Sequence, residues 1–294
     1  MVSFSGGETS AFMAQWLLRH KRDQYDMAFV FANTGQENEE TLDFVQQCSD
    51  AFGFPVVWVE AVVDPVSGKG TRHRIVDHAT ASRNGEPFEA VIAKYGIPNQ
   101  STPHCTRELK ERPITSYARS LWGSDYDTAI GIRADEFDRV NERYKERRLI
   151  YPLVRDMPMT KPKINFWWSQ QPFRLRLKGY QGNCKTCWKK SSNKLMTIAK
   201  ERPSAFDWMR DMERAYGEFI PDARLQKIQA RGGVVQLPIR FFRGHKSCDD
   251  IINEAAACNG PVVDDAAVGQ LDLDSCEVFS SCSSDGYRAQ AHCT

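Results

Sequence analysis

Apolar and polar positions alternate in blocks along the first half of the chain. Met1-Val2-Ser3-Phe4 is a short apolar run; a polar turn, Ser5 to Ser10, follows, and then Ala11, Phe12, Ala14, Trp16, Leu17 and Leu18 recur at helical spacing. This predicts a strand, a tight turn and a helix. Met27 to Ala32 is continuously apolar, as strands of a parallel sheet covered on both faces are. It ends in Asn33-Thr34-Gly35, and Leu42, Phe44 and Val45 open a second helix. Pro55 to Val59 reads as a third strand and Thr128 to Ile132 as a fourth, with a helix over Pro113 to Leu121 between them. Strands alternating with helices predict an α/β fold, a doubly wound parallel sheet of Rossmann-like type whose ligands sit beyond the carboxyl ends of the strands. The first turn, the Asn33 turn and the segment after Ile132 all lie at such ends.

From Pro152 the pattern becomes mainly helical, with helices expected around Asn165 to Trp168, Ser192 to Ala199 and Pro203 to Tyr216, and a break at Arg231-Gly232-Gly233. The polar stretch holding Arg72, His73, Arg74, His78 and Arg83 reads as a surface loop, and the residues after Gly244 as an acidic, extended tail. Three regions result: an α/β domain over 1–155, a helical part over 156–246 and a cysteine-bearing tail over 247–294. Trp167 and Trp168 could stack a base, but their spacing suits a core.

Composition narrows the class. With 294 residues, a net charge of +1 and 41% hydrophobic residues, the chain has the makings of a soluble globular protein. No apolar run approaches the ~20 residues of a membrane span, and a cytoplasmic location is expected. Nine cysteines in such a chain suggest metal or catalytic thiols before a disulfide framework. Charge is unevenly spread: between Arg139 and Lys190 only Glu142, Glu146 and Asp156 oppose a long series of Lys and Arg, whereas beyond Asp249 acids dominate. The basic middle is a candidate surface for DNA or tRNA, or a solvated face neutralised by the tail.

The first turn carries the clearest chemistry. Gly6 and Gly7 let the backbone approach a ligand, and Ser5, Thr9 and Ser10 add hydroxyls at the positive end of a helix. This is a candidate phosphate cradle, as distinct from an ordinary glycine-rich turn. It lacks the Gly-Lys-Ser/Thr of a Walker A loop and the dinucleotide GxGxxG. Ser5-Gly6-Gly7-Glu8-Thr9-Ser10 resembles the SGGxDS PP-loop of the ATP pyrophosphatases, with Thr9 where most of that family has Asp.

Further stretches resemble the phosphoadenosine phosphosulfate (PAPS) reductase family. Asn33-Thr34-Gly35 with Glu37 is similar to its adenosine-side loop, Gly131-Ile132-Arg133-Ala134-Asp135-Glu136 to its GxRxxE segment, and Tyr151-Pro152-Leu153 to its "PL" element. Cys105 to Pro113 resembles the cysteine-pair segment of adenylyl-sulfate reductases, with Lys110 and Pro113 in register and Thr106 in place of the second cysteine. The likeness covers roughly residues 1 to 190 and implies an adenine nucleotide, ATP with Mg²⁺, bound by Ser3, Ser5, Gly6, Gly7, Glu8, Thr9, Ser10, Asn33, Thr34, Gly35, Glu37, Gly131 and Arg133. It gives Arg133 and Lys110 catalytic roles. The reductases' C-terminal ECGLH-type motif is absent. That departure points to the sulfur-transfer members, including the DNA phosphorothioation protein of the Dnd system and the tRNA thiolases.

The same resemblance implies a 4Fe-4S cluster on Cys105, Cys184 and Cys187, with Cys276, Cys282, His104 or an open position as the fourth site. Lys185, Lys189 and Lys190 would offset its charge. A zinc site and plain thiols are the alternatives; Cys48, Cys248, Cys258 and Cys293 are expected to be unligated. Three functions follow: an ATP-dependent adenylating sulfurtransferase, an adenylyl-sulfate or PAPS reductase, and a non-catalytic nucleotide-binding partner with a structural cluster.

Overall fold

The computed structural model describes residues 1–66, 68–230, 232–260 and 262. Cys276, Cys282 and Cys293 lie outside the described residues. The strands are β1 (Val2–Ser3), β2 (Phe29–Asn33), β3 (Val56–Val63), β4 (Thr71–Val76), β5 (Thr128–Ala129) and β6 (Leu149–Ile150). They form one sheet in the order β4-β3-β2-β1-β5-β6. Every neighbouring pair is parallel except β3 with β4. Chain order reverses at β1, which has β2 on one side and β5 on the other. Open α/β sheets bind ligands in the crevice at such a reversal, and the glycine turn leaves β1 into it.

The helices are α1 (Glu8–Lys21), α2 (Glu39–Phe52), α3 (Glu86–Tyr95), α4 (Arg112–Trp122), α5 (Pro152–Arg155), α6 (Lys161–Ser169), α7 (Ser192–Glu201), α8 (Asp207–Tyr216), α9 (Asp222–Gln229) and α10 (Cys248–Ala257). Among the described residues no helix is long and apolar enough to cross a membrane.

Apolar residues gather in separate clusters on the two faces of the sheet. One packs Phe4, Phe12, Phe44 and Phe54 with Trp168 of α6. Trp168 is fully buried, and its indole Nε1 donates to the carbonyl of Glu8 at 2.9 Å. It is therefore core, as its spacing suggested, and it braces the start of α1; emptying such a site costs roughly 3–5 kcal/mol. A second cluster joins Phe88 and Ile92 of α3 to Leu195, Ile198, Met209 and Ile251 of α7, α8 and α10. The helical region is thus packed onto the α/β part. Glu213 of α8 ties the chain's later turns to this cluster, accepting from the amides of Phe241 at 3.3 Å and Cys248 at 3.1 Å. Burial pushes its carboxyl above the usual carboxylate range, against those two amides and Arg240.

Some elements depart from the sequence expectations. The segment read as a surface loop contains β4, which pairs antiparallel on the sheet edge and carries Arg72 and Arg74 on a strand. Its charged residues hid it, because edge strands tolerate charge. The expected fourth strand ends at Ala129, two strand residues pairing with β1 and β6, although Ile130 still donates to the carbonyl of Ile150 at 3.0 Å. The acidic tail begins with an ordered helix, α10. Its signal stood in the sequence: Ser247 and Asp250 form a capping box, the Ser247 hydroxyl accepting from the Asp250 amide at 3.1 Å and the Asp250 carboxylate accepting from the Ser247 amide at 2.8 Å. Cys248, Ile251 and Ala255 then bury one helical face.

Candidate functional site: a glycine loop and a cysteine pocket

The turn after β1 has a backbone only glycine adopts readily. Gly6 has φ +80°, and a Cβ there would lie 2.8 Å from Thr41 Cγ2 and 3.0 Å from the Phe31 ring. Gly7 is extended and caps α1 without a side-chain hydrogen bond, leaving first-turn amides for a ligand or water. A Cβ on Gly7 would meet only Ser5 Oγ, at 3.9 Å, so this face of the turn is open. Ser10 shapes the loop from inside. Its Oγ accepts from the Ser5 amide at 3.2 Å and donates to the Gly7 carbonyl at 2.9 Å, while the Ser5 hydroxyl reaches it at 3.0 Å. Ser10, a candidate nucleotide contact, thus also holds the shape of the loop. Glu8 is paired with Arg174 at 3.0 and 3.2 Å. Ser3 is buried within β1.

Gly131 closes on this loop, since a Cβ there would come within 3.2 Å of Ser10 Cα. Arg133, two residues on, sits 3.4 Å from Thr9 Oγ1, held by Asp135 at 3.0 Å and Glu136 at 3.2 Å. Glu136 also pairs with Arg139. The Gly131-Arg133 segment therefore lies against the first turn, with the guanidinium fixed beside the helix N-terminus.

The Asn33 turn is engaged elsewhere. Register places Asn33, Glu60 and Arg74 in one row across β2, β3 and β4. Glu60 is fully buried, and its carboxylate accepts from Asn33 Nδ2 at 2.6 Å, the Ser82 amide at 2.6 Å and Arg74 at 2.6 and 3.0 Å. The Asn33 amide also donates to the Ser82 carbonyl at 2.8 Å, and its oxygen accepts from Gly35. Asn33 thus shapes its turn from within the sheet. Glu60, Arg74 and Ser82 were missed by the sequence reading; a glutamate directly after the apolar run of β3 was the available signal. Glu60→Ala should destabilise the protein by about 1–3 kcal/mol, because it takes an acceptor from the buried Asn33 amide and the half-buried Ser82 amide, whereas Arg74, 53% exposed, can turn to water; Glu60→Gln should cost less. Urea unfolding of both variants checks this, and wild-type stability in Glu60→Ala would refute it.

Thr34 and Glu37 face the cysteines. The Glu37 carboxylate accepts from the Thr34 amide at 2.9 Å and its hydroxyl at 2.8 Å, and Thr34 Oγ1 lies 3.6 Å from Cys184 Sγ. Glu37 and Cys184 form an isolated antiparallel bridge, and the Lys185 amide donates to the Gln36 carbonyl at 2.8 Å. This docks the Cys184-Cys187 turn onto the end of β2. Cys105, Cys184 and Cys187 line one enclosed pocket with Thr34, Thr106, Lys110, Phe88, Leu109, Trp188 and Met209. Cys105 and Lys110 arrive from far upstream, Lys110 on a wide π-type turn over Arg107–Glu111 in which the Arg112 amide donates to the Arg107 carbonyl, and Cys105 two residues before it; such turns are concentrated at functional sites.

All three cysteines are buried, and so are Lys110, Lys189 and Lys190. Lys189 Nζ donates to Thr106 Oγ1 at 3.3 Å, and Lys190 Nζ to the carbonyls of Tyr180, at 2.8 Å, and Gly182. Of the three, Lys110 lines the pocket, while Lys189 and Lys190 follow Cys187 on its segment. Among the described residues, the set of three ligand atoms drawn within 4.8 Å of one another is Glu39, Asp43 and His78 on the surface, and not the three cysteines. A single tetrahedral zinc needs such convergence; a cluster takes each thiolate on a different iron. His104 does not line this pocket. Its ring lies 5.6 Å from that of Tyr95, and burial foremost, then Arg224 and Arg107, lower its pKa to about 4, keeping it neutral. Cys48 and Cys248 are buried away from the pocket, with thiols pushed up chiefly by burial.

The family model for the phosphoadenosine phosphosulfate reductase domain matches residues 1–161. Among curated proteins, an uncharacterized nin region protein, ORF290, of Escherichia phage lambda is 32% identical over 257 residues, covering 85% of this chain and 83% of its own. An uncharacterized protein of Methanocaldococcus jannaschii is 24% identical over 233 residues, covering 74% of this chain and 42% of its own. No solved structure matches the chain. With the glycine turn at the sheet's reversal point, the arginine beside it and a family match across the whole α/β part, the chain belongs to the phosphoadenosine phosphosulfate reductase domain family.

Proposed function

We propose that the protein is an ATP-dependent enzyme of the PP-loop kind, which adenylates an oxygen of its substrate with release of pyrophosphate and then lets sulfide-level sulfur displace it, the bond to that oxygen breaking as AMP leaves with it. The carrying observation is the pairing of an open-faced glycine turn at the sheet's reversal point with a buried three-cysteine pocket docked on the neighbouring strand end. The amides of the turn, at the positive end of α1, would hold the phosphates. Arg133, fixed beside Thr9, would meet the charge that develops on them. Loop carboxylates are occupied, Glu8 by Arg174 and Glu136 by Arg133 and Arg139, so Mg²⁺ would enter on the phosphates with its waters.

Cys105, Cys184 and Cys187 would hold a 4Fe-4S cluster, three thiols being the donor type that such a cluster takes. When bound, the cluster supplies sulfur or an electron to the activated group. Lys110 lines the pocket and would balance the anionic charge there; Thr34 and Glu37 would fix Cys184 from behind.

The test is conversion of radiolabelled ATP to AMP and pyrophosphate by anaerobically purified protein, with tRNA, DNA and small acceptors added in turn. Formation of ADP alone, or no turnover with any acceptor, counts against the proposal. The family's reductase description favours one further reading, reduction of adenylyl sulfate, which release of sulfite would reveal.

A further inference from the structure

A second cavity, about 310 Å³, opens beside the cysteine pocket and is walled by Gln36, Arg83, Lys185, Arg202, Ser204 and Trp208. The two share a partition. Lys185 of the cleft follows Cys184 of the pocket, Trp208 of the cleft precedes Met209 of the pocket, and the Gln36–Lys185 backbone bond runs between them. We propose that this cleft binds a nucleotide unit, free or within a single strand, with its phosphate on Lys185 and Arg202 and its base against Trp208, and so presents the acceptor to the cysteine site. The proposal rests on the sulfur-transfer reading above and names the substrate class for it.

Charge and shape both support this. Arg83 is neutralised by Glu39, at 2.9 to 3.1 Å, and is anchored to the carbonyls of Ala81 and His78. Among the described residues Lys185 and Arg202 make no ion pair; Arg202 donates only to Asn38 Oδ1, at 3.1 Å, and the acid whose ionisation Lys185 favours is the exposed Glu39. Two cations without carboxylate partners at the mouth of a concave site suit a phosphodiester. Trp208 is half-buried and rigidly placed. A Cβ on Gly85 would lie 2.4 Å from its ring, Gly85 in turn abuts Gly35, and the Phe88 ring centroid is 5.1 Å away. An indole held in place beside cations that make no ion pair among the described residues is the arrangement on which bases stack, and the volume falls at the lower end of ligand cavities.

The experiment is fluorescence anisotropy with fluorescein-labelled single-stranded DNA and RNA of about twelve nucleotides, without ATP, on wild type, Arg202→Glu, Arg202→Gln and Trp208→Leu, with AMP, CMP and inorganic phosphate as competitors. Wild type should bind, and each variant that melts like wild type should bind roughly tenfold or more weakly. Ready displacement of the bound strands by mononucleotides assigns the site to free nucleotides; tight strand binding resistant to them assigns it to nucleic acid. Wild type binding no probe, or folded variants binding as wild type does, overturns the proposal. Because ATP is absent, loss of the adenylation reading would leave strand binding intact. Pyrophosphate release without strand or mononucleotide binding would remove this site alone.

Discussion

Cys184→Ala is expected to abolish iron binding. Anaerobically purified wild type should carry about four irons per chain with broad visible absorbance, and the variant less than about one, because a cluster left with two cysteines in a buried pocket is not retained. ATP turnover coupled to sulfur transfer should fall below detection. Two controls separate ligation from packing: Cys48, on the buried face of α2, and Cys258, half-exposed beyond α10, both lie outside the pocket. Cys48→Ala and Cys258→Ala should keep their iron. Zinc or no metal in wild type, or full iron in Cys184→Ala, would contradict the assignment of the pocket.

Gly6→Val and Gly7→Ala should separate the shape of the glycine turn from its use. Valine at Gly6 must take φ +80° and drive its Cβ into Thr41 and Phe31. Strain of about 1–3 kcal/mol and overpacking of similar size should lower stability and misalign the turn, with ATP turnover reduced by about 100-fold or more. Gly7 already has φ −107° and ψ 161°, which alanine adopts freely, and no atom nearer than 3.9 Å. Gly7→Ala should therefore melt like wild type and yet bind ATP more weakly, because its methyl occupies the face that phosphates approach. Isothermal titration with ATP measures this; undiminished affinity in Gly7→Ala would show that no ligand packs on that face.

Features encoded by neighbouring residues were legible without the structure. The strand, glycine turn and helix of residues 2 to 21 lie within one stretch, so period and glycine placement reveal them. The burial of Trp168 and the helices α4, α7 and α8 follow from spacing in the same way. The capping box at Ser247 and Asp250 was equally local, and it announced α10 although acidic composition suggested a tail.

What escaped is what depends on register and on packing between distant segments. The row of Asn33, Glu60 and Arg74 exists because three strands align at those positions, and the sequence of no single strand specifies that alignment. It makes Asn33 a brace of its own turn. Thr34 and Glu37 share that turn with Asn33, and only the antiparallel bridge to Cys184 gives them to the cysteine pocket. By itself the sequence determined the glycine loop, the α/β class and the cysteine types, since each is carried by local pattern. The tertiary structure alone decided which of those residues face one another, because side chains distant in the chain meet only when the sheet's register and the helical packing are set.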